Sequence, residues 1–225
     1  MSPMPVRRPR PPSEAVHHPL FARFWAKVSP VADERAGVAE LRSELLSGLS
    51  GRVIEIGAGN GLNFVHYPST VSEVVAIEPE RHLRRLAVRA GHRAEVPVDV
   101  VPGVAEALPV KSEAFDAAVA CLVLCSVRDV QRTLTELMRV LRPGGELRFL
   151  EHGRAEGQAM AMTQGVLDRT VWPLMFGGCH TGREVRVEMA RVGFEPVTHR
   201  SLRLPERGLP MPTSPCTLGV VRRPS

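Results

Sequence analysis

Apolar positions change their period several times along this chain, and each change marks an element. Leu20, Phe21, Phe24 and Trp25 cluster at helical spacing, and Val38, Leu41, Leu45 and Leu49 mark one face of a second amphipathic helix. From Arg52 short apolar runs alternate with helical stripes. Residues 53–56 predict a buried strand ending in glycines, and residues 73–77 a second strand. A helix follows with Leu83, Leu86, Ala87 and Ala90 on one face. Residues 96–101 predict a third strand and 115–124 a fourth, apolar on both faces as a central parallel strand requires. Val130, Leu134, Leu137 and Leu141 form a helical stripe stopped by Pro143-Gly144-Gly145, and residues 146–150 predict a fifth strand. Residues 156–176 read as a longer helical region that breaks at Gly177-Gly178. A helix with Val185, Met189 and Val192 inward then precedes two last strands, 194–201 and 217–222. Strands alternating with helices predict an α/β three-layer fold with a mainly parallel sheet.

Length and composition place this pattern in one unit. The 225 residues suit a single domain able to bury a sizeable core. Residues 1–15 hold Pro3, Pro5, Pro9, Pro11 and Pro12 among arginines, so they are expected to be a disordered tail. Residues 16–225 are expected to be the single domain, with 16–50 as an N-terminal helical lid. No apolar run reaches the roughly 18–20 residues that span a bilayer. No apolar h-region follows the N-terminal arginines, so the expected compartment is the cytoplasm, with no membrane partner.

The sequence pI near 9.6 raises the question of nucleic acid. Arg7, Arg8, Arg10, Arg222 and Arg223 alone equal the net charge of +5, so the rest of the chain is formally neutral. A nucleic-acid enzyme keeps its basic surface on the fold, and no nucleic-acid partner is expected. Cys121, Cys125, Cys179 and Cys216 show no CxxC spacing, and the eight histidines include no HExxH, so no metal site is visible. Cys121 and Cys125, four apart in an apolar strand-like run, read first as core packing.

The strongest chemical signal is Glu55-Ile56-Gly57-Ala58-Gly59-Asn60-Gly61, directly after a strand. Its glycines let the backbone turn tightly and approach a ligand. The dinucleotide fingerprint needs a third glycine where Leu62 stands, so a pyrophosphate-seating loop is not met. An acid two residues before the first glycine repels pyrophosphate and suits the ammonium of a methionine moiety. Glu78 ends the next strand, seventeen residues past Gly61, where a carboxylate accepts from both ribose hydroxyls. Together they imply an adenosine-containing cofactor at the carboxyl edge of the sheet.

In order, "VIEIGAGNG", "AIEP", "GVAEALP", "FDAAVACLVLCSV" and "RVLRPGGELRFLEH" resemble the motifs of class I S-adenosylmethionine (SAM) methyltransferases of the ubiquinone/menaquinone-biosynthesis type. The resemblance implies a Rossmann-like fold with a seven-stranded sheet whose last strand is antiparallel, and SAM as cofactor. It implies a methionine end lined by Glu55, Gly57, Ala58, Gly59, Asn60, Gly61 and Asn63, and a ribose held by Glu78 beside Pro79. Val104, Ala105 and Glu106 are then expected at the adenine, and Cys121 and Leu122 beside the cofactor. Many relatives carry Asp or Asn where Val104 stands, so the adenine contact is expected to come from backbone or Glu106, or to be absent. "CLVLCSV", "EH" at 151–152 and "QGVLDRTVWPLMFGGCHTGRE" at 164–184 resemble a narrower branch, the alkyl-thiol methyltransferases and their soluble bacterial relatives. That branch implies S-methylation of a small-molecule acceptor.

Methyl transfer from a sulfonium is an in-line displacement, so alignment is the protein's main task; it accounts for roughly 7–11 kcal/mol of barrier. A thiol acceptor, with a reference pKa near about 8.5, needs only a weak base. The candidate bases are His152, His180 and Asp168, the last alternatively paired with an arginine such as Arg183. His66 and Tyr67 follow the glycine loop and face the cofactor or cap a helix. Cys179 is a candidate pocket residue, although displacement needs no catalytic thiol. Phe21, Phe24 and Trp25 are candidates to fold over the cofactor, and Val171, Trp172, Leu174, Met175 and Phe176 suggest an apolar acceptor. The competing classes are a methyltransferase with an O-, N- or C-acceptor, a macromolecule methyltransferase, a nicotinamide oxidoreductase and a SAM-binding module without catalysis.

Overall fold

The computed structural model describes residues 19–225, so the Pro/Arg-rich stretch 1–15 lies outside the described residues. Seven strands form one sheet: β1 (Gly51–Ile56), β2 (Val71–Ile77), β3 (Val98–Val101), β4 (Phe115–Cys121), β5 (Leu141–His152), β6 (Glu195–Arg203) and β7 (Pro215–Arg222). Their order is β3-β2-β1-β4-β5-β7-β6. The pairs among β1 to β5 are parallel, and β7 runs antiparallel to both β5 and β6. The chain reverses direction outward from β1, to β2 and β3 on one side and to β4 on the other, which opens a crevice at the carboxyl ends of β1 and β4.

Helices cover both faces. These are α1 (Pro19–Ala36), α2 (Val38–Leu46), α3 (Arg81–Gly91), α4 (Val130–Val140), α5 (Gln158–Asp168), α6 (Trp172–Met175) and α7 (Val185–Val192). The strand period of two sends neighbours to opposite layers. Ile54, Ile56, Ala118 and Ala120 pack with Leu134, Leu137 and Met189 of α4 and α7. Val53, Ala117 and Val119 pack with Leu45, Leu46 and Ala87 of α2 and α3. The three-layer α/β architecture and the antiparallel last strand follow the sequence expectation.

Three boundaries differ from it by three residues or more. The fourth strand was expected to run to residue 124 but ends at Cys121. Leu122 adopts a left-handed φ of 55°, and the next amides turn away to a carboxylate described below. The fifth strand begins at Leu141, because the Pro143-Gly144-Gly145 turn forms an irregularity between paired residues rather than a break. The expected helix 156–176 is two helices, α5 and α6, with a non-helical step between Arg169 and Val171. Among the described residues no helix is long and apolar enough to cross a membrane.

One buried side chain fastens the segment after β5. Gln164 of α5 is fully buried. Its Oε1 accepts from the Ala155 amide at 2.8 Å, and its Nε2 donates to the carbonyls of Gly153, Thr181 and Pro212 at 2.8–3.0 Å. Four groups from three loops thus meet one amide. Gln164→Leu fills the volume and orphans all four, so it is expected to cost about 2–4 kcal/mol, a fall in Tm of roughly 10 °C by calorimetry.

Candidate active site

β1 carries Glu55 to the sheet edge, and the chain then turns through three glycines with φ of 61°, 58° and 83°. Two of them are glycine for packing. A Cβ at Gly57 would sit 2.2 Å from Val123 Cγ2, and one at Gly61 2.7 Å from Ala90 Cβ. Gly59 differs: a Cβ there would meet only the Gly57 carbonyl, at 4.0 Å, so it faces open space. That space is where a ligand can lie against the backbone. Glu78, at the end of β2, is buried and lines the same space. Its Oε2 accepts from the Gly59 amide and its Oε1 from the Glu80 amide, both at 2.8 Å. A carboxylate has about four lone-pair sites, so roughly one remains on each oxygen for a vicinal diol. Burial pushes the Glu78 carboxyl up to about 7 against those two amide bonds. The cradle therefore fits the ribose and backbone contacts of an adenosine-containing cofactor.

A buried polar chain lies behind the glycine turn. Arg42 of α2 makes a two-point ion pair with Asp33 of α1, with Nε–Oδ2 at 2.6 Å and Nη2–Oδ1 at 3.2 Å. Its Nη1 donates to Asn63 Oδ1 at 2.7 Å and to Cys121 Sγ at 3.1 Å. Asn63 Nδ2 and the Tyr67 hydroxyl donate to the two oxygens of Glu55 at 3.0 and 2.7 Å. Burial lifts Glu55 to about 7, opposed by those bonds and the nearby Arg42 charge. Tyr67 is driven well above its ordinary value by burial and by Glu55. One network thus ties both N-terminal helices to the loop that follows β1.

In front of the turn opens a cavity of about 770 Å³. One end is lined by Gly57, Gly59, Glu78, Pro79, Val104, Ala105, Glu106 and Leu122, and the other by Cys125, His152, Trp172, Phe176 and Cys179. Phe21 and Trp25 of α1 also line it, their rings stacked at 5.8 Å. Phe24 is 53% exposed on the outer side, so of the three aromatic lid candidates only two face the cavity. Ser29 Oγ accepts from Asn60 Nδ2 at 3.1 Å, which docks α1 on the glycine turn. Trp172 and Phe176 stack at 4.2 Å and form an apolar wall.

Glu151 organises the far end. It is fully buried, yet its carboxylate takes the amides of Val123 and Leu124 at 2.8 Å and of Cys125 at 3.3 Å. Burial raises its pKa in spite of those three donors. The turn after β4 is therefore wound around a carboxylate supplied by β5. Cys125 is held there, with its carbonyl accepting from the His180 amide at 2.8 Å. Cys179 Sγ lies 3.7 Å from His152 Nδ1. The hydrogen bond between Cys125 and Cys179 draws Cys179 below its ordinary pKa and holds Cys125 well above it. For His152 burial acts downward, but Cys125 and Glu151 outweigh it and the net direction is upward.

The structure distributes the sequence candidates unevenly. Among the cofactor candidates, Glu55, Ala58, Asn60, Gly61, Asn63 and Cys121 stand behind or beside the turn and do not line the cavity. Glu106 lines it with one oxygen already accepting from the Arg128 amide at 2.9 Å. Of the candidate bases only His152 lines it. The His180 ring is bonded to the Gly178 carbonyl at 2.8 Å. Asp168 holds the Thr181 and Gly182 amides at 2.7 and 2.9 Å, not Arg183, which donates instead to the carbonyls of Leu124 and Val127. His66 pairs with Ser43 Oγ at 2.8 Å, away from the cavity. Cys125, read as strand core, is a cavity residue because β4 stops four positions earlier. Glu151, Arg42 and Asp33 were not singled out. The one signal for Glu151 is an acid directly after the apolar pair Phe149-Leu150 at a strand end.

Residues 54–149 match the family model described as a methyltransferase domain. The chain is 31% identical over 197 residues to Thiol S-methyltransferase TMT1A of Homo sapiens, covering 82% of this chain and 79% of that protein. It is 30% identical over 190 residues to the ubiquinone/menaquinone biosynthesis C-methyltransferase UbiE of Syntrophotalea carbinolica, covering 76% and 79%. In fold it is similar to a crystal structure of a SAM-dependent methyltransferase from Thermotoga maritima, with a TM-score of 0.66, 24% identity and coverage of 91% and 98%.

Proposed function

The chain belongs to the SAM-dependent methyltransferases, and from that premise we propose that it methylates the sulfur of a small, apolar thiol. The observation that carries the reading is the far end of the cavity, where Cys125, His152 and Cys179 meet beneath the Trp172–Phe176 wall. Such a pocket offers sulfur a polarizable, desolvated seat and offers few hydrogen bonds to an alcohol or amine. The relatives named as thiol S-methyltransferases support the same acceptor.

The cofactor supplies a methyl group already activated on a sulfonium. Glu78 is proposed to hold the ribose and the Gly59 backbone to border the methionine end. Glu55, behind them, acts through Asn63 and Tyr67 on the shape of the loop. His152 is proposed to favour the thiolate form of the acceptor. His180 and Asp168, by their backbone partners, are proposed to shape the 178–182 loop and to touch no substrate. Phe21 and Trp25 are proposed as the lid that excludes water. Deleting residues 1–30 is then expected to abolish SAM binding in a calorimetric titration, and unchanged affinity would remove the lid.

Labelled-methyl transfer from SAM to paired alkyl thiols and their oxygen analogues tests the acceptor, with Glu78→Ala as the blank. Transfer to the thiols alone is expected. Transfer to the alcohols or to amines at equal rates would replace the thiol by another small-molecule acceptor.

A further inference from the structure

Cys125 on the turn after β4, His152 at the end of β5 and Cys179 after the double-glycine turn present ligand atoms that all lie within 4.8 Å of one another. The three come from positions 27 and 54 residues apart, so no motif spacing betrays them. The Cys179 Sγ–His152 Nδ1 separation of 3.7 Å is that of a weak sulfur hydrogen bond. It is close to the edge of a metal tetrahedron: with Zn–S about 2.3 Å and Zn–N about 2.0–2.1 Å, the S···N edge is about 3.6 Å.

We propose that Cys125, His152 and Cys179 form a three-ligand Zn²⁺ site whose fourth position opens into the cavity. Two thiols and an imidazole are a donor set for zinc rather than for a hard cation, and three protein ligands with one open position is the pattern of catalytic rather than structural zinc. The ligands are held in place without the ion. Glu151 fixes the Cys125 amide, the His180 amide fixes the Cys125 carbonyl, and β5–β7 pairing fixes His152 opposite Cys216. Such second contacts orient metal ligands. The Trp172 indole N–H is buried among the described residues with no hydrogen-bonded acceptor.

The role of the ion, though not its presence, rests on the thiol reading above. The acceptor enters as R–SH; its S–H bond breaks, the proton leaves to solvent, and a Zn–S bond forms at the open position. The thiolate sulfur then bonds the methyl carbon as that carbon's bond to the sulfonium breaks. The products are a neutral thioether and S-adenosylhomocysteine. A thioether is a weak ligand and departs. His152 thus favours the thiolate through the ion it helps to hold.

The test is Co²⁺ and Zn²⁺ binding to the reduced, chelator-stripped protein. One equivalent of metal is expected, with a near-ultraviolet thiolate-to-cobalt band and the intense visible bands of a four-coordinate ion. Cys125→Ser and Cys179→Ser are each expected to lose the band and at least 100-fold in affinity, whereas Cys216→Ser keeps both. A short alkanethiol added to the Co²⁺ protein is expected to shift the visible bands, and an unshifted spectrum would remove the open position. Wild-type protein with four titratable thiols and no stoichiometric metal would overturn the site. Because this readout needs no methyl transfer, failure of the thiol assay with the metal bound counts against the acceptor and leaves the site standing.

Discussion

Glu151→Ala is expected to cost at least about 3 kcal/mol of stability, because it leaves the amides of Val123, Leu124 and Cys125 without their acceptor inside the core. Arg183 and the His180 amide also hold this turn, but they serve the carbonyls of Leu124, Val127 and Cys125 and leave its three amides to Glu151 alone. Leu122, just before it, is already left-handed, a conformation that a leucine adopts only when its surroundings impose it. Glu151→Gln separates charge from geometry. Its remaining oxygen can keep the two amides that Oε1 now takes, but its NH₂ must face the Cys125 amide, so a loss of about 1–2 kcal/mol is expected. Urea denaturation of the three proteins measures both effects. Thermal unfolding of Glu151→Ala indistinguishable from wild type would mean that the turn is held by something else. Because Cys125 hangs on the same carboxylate, the glutamine variant is also expected to lose methyl transfer out of proportion to its stability.

That carboxylate shows where sequence reading stops. The sheet was legible because alternation is a local property. Ile54 and Val53 announce opposite faces within two residues, and the sheet confirms them in separate core layers. The cofactor end was legible in outline, since a glycine turn after one strand and an acid after the next are each short motifs. Its division of labour was not. Gly57 and Gly61 are glycine because Val123 and Ala90 crowd them, and those neighbours lie 66 and 29 residues away. The same holds for Arg42, which reads as one more charge on an amphipathic helix. Only the fold brings Asp33, Asn63 and Cys121 around it. Strand ends failed for a related reason: apolar character continues from Cys121 to Leu124, and what ends the strand is a backbone turn onto Glu151. Asp168 was expected to seek a charge and found two amides instead, a partner that charge counting never proposes.

Glu78→Ala is expected to weaken SAM binding by about 100-fold or more, as two charge-assisted hydrogen bonds of roughly 1.5 kcal/mol or more each are lost. The pH dependence identifies the cause. The Glu78 carboxyl is pushed up to about 7 from 4.5 by burial, so between those values the folded, cofactor-free protein keeps a proton that the unfolded chain has released. The folded state binds more protons, so its stability falls as pH rises through that window and levels off above it. At about 1.36 kcal/mol per pKa unit the fall is of order 3 kcal/mol. Glu55, lifted to about 7 for the same reason, adds a parallel fall. Ribose hydroxyls donating to Glu78 favour the ionised form, so binding releases the proton and SAM affinity is expected to rise from pH 6 to pH 8. Glu78→Gln keeps the shape and cannot ionise. It is expected to lose that rise, and its stability without cofactor is expected to fall less between pH 6 and pH 8 than that of wild type, although its NH₂ must face one of the two amides. Titration calorimetry with SAM and urea unfolding at the two pH values decide it. A SAM affinity that climbs equally in wild type and Glu78→Gln would assign the proton to another group and leave Glu78 with a packing role alone.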